Sequence, residues 1–574
     1  MTSLESSKYS TKKYGKLLLF IGLTLPYITS KIFSHQKIVY IVSTILFLLL
    51  FLIYKESAGA NMHPGKVLAS LNKINLLFIY LGLFVFTFIT QNVYLDFETI
   101  SWDVSSYLVA SLPIGDGYLP YEKQWESKGP LLMYIYYFLI FISGKSYIVF
   151  RLLNDFVLFL ISVFLFKSLY LLSNKNKIIA SLGSLLFLSL FSDTQYISEY
   201  SELYVLLILA SVTFLYIRNK FEGFNQFIIP GLISAAFLIN QVAGLFIIPY
   251  FLLLYLEEFD NKKLLRNFSI SFLIPLFIIQ LLYLIKGEFG LLVANYLLVP
   301  LGYSGSGDVN SLNELRIWLR EYFYLNKFLY FSLFSLLTFE LFRFVGSMRL
   351  NYFKNIVNLN ILISLIIYFL GNHSYAHHLM YFVYFLTFFI TKIKLNNMFL
   401  LMFGLIFITS SSIFVKSFNK SYDNLSNLNS VQDNYPIFKL SKEIEKNFQG
   451  DYEILALEYV LVLFYLDKQN YSYIVHPTNH FEDYISEPLE RFGKIQKNNI
   501  EKLLIEKPKV VICNTIRIHR GVPTDNSNFR CDYEYYSDSY FQIDTSVYRK
   551  DIKVEYYYDP YKDMNVYLKK LNEN

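Results

Sequence analysis

The sequence predicts an α-helical polytopic membrane protein, of about 13 transmembrane helices, that carries a small α/β domain on its extracytoplasmic side. Three observations predict it. The 574-residue chain is 54% hydrophobic and only 17% charged, which lies outside the range of soluble domains. Apolar runs long enough, or nearly long enough, to cross a bilayer recur from residue 16 to residue 416. After Lys420 the composition turns soluble, and strand-like and helix-like segments alternate.

The elements follow in order. The basic N-terminus MTSLESSKYSTKKYGK precedes an apolar run with no small-residue cleavage site before the next span, so it reads as an uncleaved anchor. Spans are expected near 16–34, 38–54, 74–93, 146–171, 178–192, 199–217, 226–238, 241–257, 264–286, 325–343, 355–371, 378–392 and 396–416. With the N-terminus inside, every inner loop is basic: Lys55, Lys66 and Lys73; Lys175 and Lys177; Arg218 and Lys220; Lys262, Lys263 and Arg266; Arg343, Arg349 and Lys354; Lys392 and Lys394. An odd number of spans then puts the region after Ser417 outside. The same parity places the polar segments 94–145, 192–202, 286–327 and 371–378 on the outer face.

Three domains result: residues 1–73 with two extra spans, a membrane body over 74–419 with its outer loop 94–145, and a soluble outer domain over 420–574. In the last, EILALE, YSYIV, KVVIC and YFQIDTSV read as strands, and YPIFKLSKEIEKNF and NNIEKLLIEK as helices. It contains no glycine-rich phosphate loop and no metal-type Cys/His spacing, so it reads as an accessory or acceptor-positioning domain. Cys513 and Cys531 are the two cysteines; they fit one disulfide in an extracytoplasmic domain, while Cys513 in VVIC equally suits a buried strand. The net charge of +6 is spread in small groups between apolar runs, a topology signal and not a nucleic-acid footprint.

The outer loop holds the chemistry-bearing residues. It carries Asp96, Glu98, Asp103, Asp116, Glu122 and Glu126 with Lys123 and Lys128, so it must lie at a membrane surface. Asp103 begins a short helix and shares a face with Tyr107; it suits either a general base or a cap for a helix starting at Val104. Lys128-Gly129-Pro130 breaks the chain before a second apolar helix. Lys128, Arg151, Arg316, Arg320 and Lys327 lie near the outer boundary, where they would meet either a carrier phosphate or lipid headgroups. Arg151 falls inside an apolar run, with Asp155 one turn on as a neutralising partner. Glu202 sits a turn inside a helix start, after Glu199 and Asp193. His373, His377 and His378 gather at another outer helix start, suited to a carrier phosphate or a divalent metal but without diagnostic ligand spacing.

The order of these features resembles the GT-C class of membrane glycosyltransferases, in the group of protein O-mannosyltransferases and the aminoarabinose transferase. The features are Trp102-Asp103-Val104-Ser105-Ser106-Tyr107, LPYEKQWESKGPLLMYIYYFLIFISG, FRLLNDF, SEYSELYVLL, LINQVAGLF and GNHSYAHHLMYF. The resemblance covers about residues 74–574 and implies Asp103 as base or base-positioning group, with Glu126 as second carboxylate. It implies Lys128 and Arg151 at the donor phosphate; Arg316 and Arg320 are read as further phosphate cations from their position near the outer boundary. Tyr107, Glu202, Gln241, His377 and His378 would then line the substrate cavity. It departs from the family at Val104, where many relatives carry Glu, at Asn240-Gln241, where a lysine is common, and at His378, where Tyr is usual.

The implied reaction transfers a sugar from a polyprenyl-phosphate donor to an extracytoplasmic glycan, lipid or protein, with inversion. The setting would be a bacterial inner membrane. No cofactor is required by the pattern, although it leaves room for a divalent metal, and no nucleic acid is involved. The rival readings are a transporter or flippase of lipid-linked sugars, which more often shows inverted repeats, and a polymerase or ligase of lipid-linked glycans.

Overall fold

The computed structural model describes residues 74–98, 101–191, 199–258, 261–305, 355–370, 376–392, 412–448, 450–497, 499–514, 518–519, 522–523, 540–545 and 564–570. The two N-terminal spans, the span at 325–343, His373, Asp193, Arg316, Arg320, Lys327 and Cys531 lie outside these residues.

Among the described residues, four helices are long and apolar enough to cross a membrane: α1 (Leu76–Gln91, continued by a 3₁₀ turn to Tyr94), α4 (Tyr147–Leu172), α6 (Ser201–Asn219) and α9 (Lys262–Ile285). Between them lie α2 (Trp102–Ser111), α3 (Pro130–Ser143), α5 (Lys177–Leu190), α7 (Asn225–Ile239) and α8 (Ile247–Glu258). At 24 residues α9 extends about 36 Å. Its outward face exposes Leu273, Phe277, Ile278, Leu284 and Ile285, an apolar stripe that only hydrocarbon would solvate. The protein is a multi-pass helical membrane protein. Further apolar helices of 10–17 residues, including α3, α5, α7 and α10 (Ile356–Phe369), are too short to cross upright.

Local sequence sets the ends of these helices. Asn75, Ser146, Asn176, Asn261 and Asn355 each accept a bond from a first-turn N–H of the helix that follows. The cap of α2 is Ser101, whose side chain accepts from Val104 N at 3.5 Å, and the helix begins at Trp102. Asp103 is therefore a first-turn residue and not the cap, which leaves its carboxylate available to other elements. The expected break at Asn240 is real: α7 ends at Ile239, Asn240 is extended, and a 3₁₀ turn over Gln241–Phe246 leads into α8.

The C-terminal domain is built on a four-stranded sheet of β1 (Ile454–Ala456), β2 (Val510–Asn514), β3 (Tyr540–Gln542) and β4 (Met564–Lys569), in the order β1-β2-β4-β3. β1 and β2 are parallel, with Ile454 opposite Val510; β4 runs antiparallel to β2 and β3. α12 (Ser412–Ser426) leads into the domain and spans the expected 419/420 boundary, and α13 (Pro436–Asn447) follows. Tyr471–Val475, expected as a strand, is not part of the sheet. Tyr471 N donates to Ile454 O of β1 at 2.9 Å, and the rest of the segment's backbone pairs with the outer loop: Trp125 N donates to Tyr473 O at 2.7 Å and Val475 N to Trp125 O at 3.2 Å.

The domain is thus fastened to the outer loop. Gln124 accepts from Asn470 N at 2.8 Å and donates to the carbonyls of Asn470 and Ser472 at 3.1 Å each. Glu98 accepts from Ile437 N at 2.7 Å and Phe438 N at 3.1 Å, so a loop carboxylate caps a helix of the other domain. Trp125 is fully buried, and one apolar cluster runs from Leu83 in α1 through α4 and α6 to Leu568 in β4.

Candidate functional site

Three groups of side chains meet where α2, the 121–129 loop, the start of α6 and the Ala376–Leu379 turn converge beneath the C-terminal domain. The first is Asp103, Glu126 and His476. His476 Nε2 lies 3.3 Å from Asp103 Oδ1, and His476 Nδ1 lies 3.0 Å from Thr478 Oγ1. Both ring nitrogens are occupied, so the histidine is held from the C-terminal side and in turn holds Asp103. The Asp103 side chain keeps 31% exposure.

Burial alone would raise the Asp103 carboxyl. The hydrogen bond from His476 and the charges of His476, His377 and Lys128 outweigh it and hold the group far below the usual carboxylate range. His476 moves the other way: burial opposes its charge, but Asp103, Glu126 and Glu458 raise it above its ordinary value. Glu126 is buried, with Oε1 accepting from Ser127 N at 2.7 Å and Ser127 Oγ at 2.9 Å, while Oε2 has no hydrogen-bond partner among the described residues. Its burial pushes the carboxyl up, against the pull of His476. Tyr107, packed edge-on against Tyr136 at 5.5 Å, is raised well above its usual range by burial and by Asp103, Glu126 and Glu202.

The second group surrounds Lys128. Its Nζ lies 3.9 Å from Glu202 Oε1, and His378 Nε2 lies 3.9 Å from the same oxygen. Asn240 Nδ2 donates to Glu202 Oε1 and Ser201 Oγ to Oε2, each at 3.0 Å. His377 stacks on Tyr200 with ring centres 4.4 Å apart.

The backbone that carries Lys128 is fixed at four points. Tyr121 Oη and Asn295 Nδ2 donate to the Lys128 carbonyl, the latter at 3.0 Å. Gly129 N donates to Ile239 O at 3.0 Å, and Gln241 Nε2 donates to Ser127 O at 2.7 Å. Gln241 therefore buttresses the loop. A Cβ at position 129 would collide with the Leu238 carbonyl, which is why the lysine is followed by glycine.

The third group is Arg151, Glu199 and Tyr147. Arg151 Nε pairs with Glu199 Oε1 at 2.8 Å, Nη1 donates to the carbonyls of Tyr94 and Phe97 at 2.8 Å each, and Tyr147 Oη donates to Glu199. The expected partner Asp155 accepts from Asn92 at 2.8 Å and acts on Arg151 only as a lesser neighbouring charge. Arg151 thus ties the start of the outer loop to α4 and is engaged by protein partners. Sequence reasoning missed His476, which lies in a stretch that reads as an unremarkable strand end. Only its pairing with the outer loop reveals it.

The fold and this cluster define a multi-pass helical membrane protein in which an acid and a lysine are electrostatically coupled beneath an α/β domain. The chain is similar in structure to ArnT from Cupriavidus metallidurans bound to undecaprenyl phosphate, with TM-score 0.57 and 10% identity, over 86% of this chain and 97% of that chain. It is also similar to the apo state of that protein, with TM-score 0.51 at the same identity and coverage. At that identity the likeness is one of fold, and the fold is the one the sequence resemblance implies. No family model matches the sequence, and no curated protein matches it.

Proposed function

We propose that the protein transfers a sugar from a polyprenyl-phosphate carrier to a hydroxyl on an extracytoplasmic acceptor, with inversion at the anomeric carbon. The observation that carries this reading is the pairing of a partly open Asp103 with a backbone-clamped Lys128 whose charge acts on it. The fold supports it, since ArnT is described with undecaprenyl phosphate bound, a carrier of the same chemical class.

In this reaction the acceptor oxygen forms the new bond to the anomeric carbon while the bond from that carbon to the carrier phosphate breaks, and its electron pair stays on the phosphate. Lys128 offsets the charge that develops there. Asp103 orients the acceptor hydroxyl and receives its proton. A depressed carboxyl is a weak base, but the attacking hydroxyl turns strongly acidic as its oxygen bonds to the anomeric carbon, so transfer occurs late and downhill. His476 is a positioning residue that sets the Asp103 carboxylate.

The test incubates purified protein with labelled polyprenyl-phosphate sugars and follows release of polyprenyl phosphate. Asp103→Asn and Lys128→Ala are each expected to lower turnover by about 10²-fold or more. Near-normal turnover in Asp103→Asn would remove the assigned role. Passage of intact lipid-linked sugar across vesicles, without its cleavage, would favour a transporter.

A further inference from the structure

We infer that Glu202, His377 and His378 form a site for a divalent transition metal of the zinc type, with an open coordination position beside Lys128. The metal is argued from these side chains alone; only its use, polarising a phosphate oxygen, rests on the transferase reading.

The donor set is one carboxylate oxygen and two imidazole nitrogens, all within 4.8 Å of one another, with Glu202 Oε1 and His378 Nε2 already at 3.9 Å. Tetrahedral bonds of 2.0–2.2 Å to one ion hold ligand atoms about 3.4 Å apart, so Glu202 and His378 must close by about half an ångström and the widest pair by up to about 1.4 Å, within reach of side-chain rotation. Consecutive side chains on a 3₁₀ turn diverge by about 120°. Two neighbouring imidazoles that approach one carboxylate are therefore placed by packing. His377 is held flat on Tyr200, and the His378 ring stands at 82° to it with centres 4.6 Å apart.

The surroundings are those of a built site. Glu202 is 1% exposed and is oriented by Asn240 and Ser201, as outer contacts orient a metal-binding carboxylate. Tyr381, one helical turn beyond His377, is buried, and its hydroxyl has no hydrogen-bond partner among the described residues although it feels the Glu202 charge. A buried hydroxyl needs a partner, and a water or phosphate oxygen on the ion would supply one. The ion would also take over Glu202 from Lys128 and release the ammonium toward the phosphate. Three protein ligands and one open position are the pattern of a Lewis-acid site.

The test measures zinc bound per chain in the purified full-length protein by mass spectrometry, and the visible absorption of the cobalt-loaded protein. About one ion per chain is expected. Glu202→Gln and His378→Gln should each lower metal affinity by at least about tenfold, while His476→Gln should leave it unchanged. Because Glu202 is buried, thermal melting of its variant is compared with wild type, and the partly exposed His378 gives the independent arm. Absence of zinc and cobalt binding at micromolar concentration, or unchanged affinity in His378→Gln, overturns the site. Sugar transfer without metal binding removes the site and leaves the transferase reading. Tight metal binding without transfer keeps the site and removes that reading.

Discussion

Single residues decide how the site is held. Gly129 is the tightest point, because any side chain there meets the Leu238 carbonyl behind Lys128. Gly129→Ala should cost about 1–3 kcal/mol and displace Lys128, read as a lower melting temperature and at least a tenfold loss of turnover. Arg151 and Glu199 form an ion pair at 6% and 3% side-chain exposure. Glu199→Ala alone should destabilise by about 3–5 kcal/mol, since it strands a buried guanidinium, whereas Arg151→Met with Glu199→Met should cost far less. If that double variant regains stability and turnover, Arg151 is architectural. If it regains stability alone, the arginine also serves the donor.

His476 adds a pH term. Its folded value is raised by Asp103, Glu126 and Glu458, so the stability it contributes is fully present below its ordinary 6.5 and is lost as pH rises through the raised value. Thermal melts across that window should show this loss, and His476→Gln should flatten it. Asp103 has the opposite sign: its contribution is lost only as pH falls through its strongly depressed value.

Elements, more than residues, join the two domains. The outer loop lends Glu98 to the N-terminus of α13 and Gln124 and Trp125 to the Asn470–Val475 segment. Glu98→Ala should cost about 1–2 kcal/mol, because it leaves first-turn N–H groups of α13 without an acceptor at the positive end of the helix. Hydrogen exchange should then quicken in α13 and around His476 while α4 and α6 stay protected. If exchange at His476 stays slow, the domain is held by the shared apolar cluster and the cap is incidental.

On the scale of the whole molecule, the C-terminal domain reaches the outer-loop cluster through His476. The sequence offers no catalytic set within residues 420–574, yet the domain supplies His476 across the interface. Cys513 in β2 is disulfide-bonded. A disulfide suits an oxidising compartment, in keeping with the outward placement expected from the basic inner loops. In intact cells, a membrane-impermeant thiol reagent should label the protein only after external reduction. No labelling after reduction would reverse the assigned sidedness, and labelling without reduction would remove the disulfide.

Composition and periodicity are properties of short windows, and what they report was already determined along the chain. The apolar runs that became α1, α4, α6 and α9, the break at Asn240, and strands β1, β2 and β3 follow from local burial patterns. The prominence of Asp103 and Lys128 is equally local, since charges stand out in apolar surroundings. Partners are another matter. That Arg151 pairs directly with Glu199 and that Tyr471–Val475 pairs with Trp125 were settled in space. These contacts join residues up to about 350 positions apart, where no window of sequence carries the signal. Which charge faces which therefore depends on how the chain packs, and the pocket exists only in the folded protein.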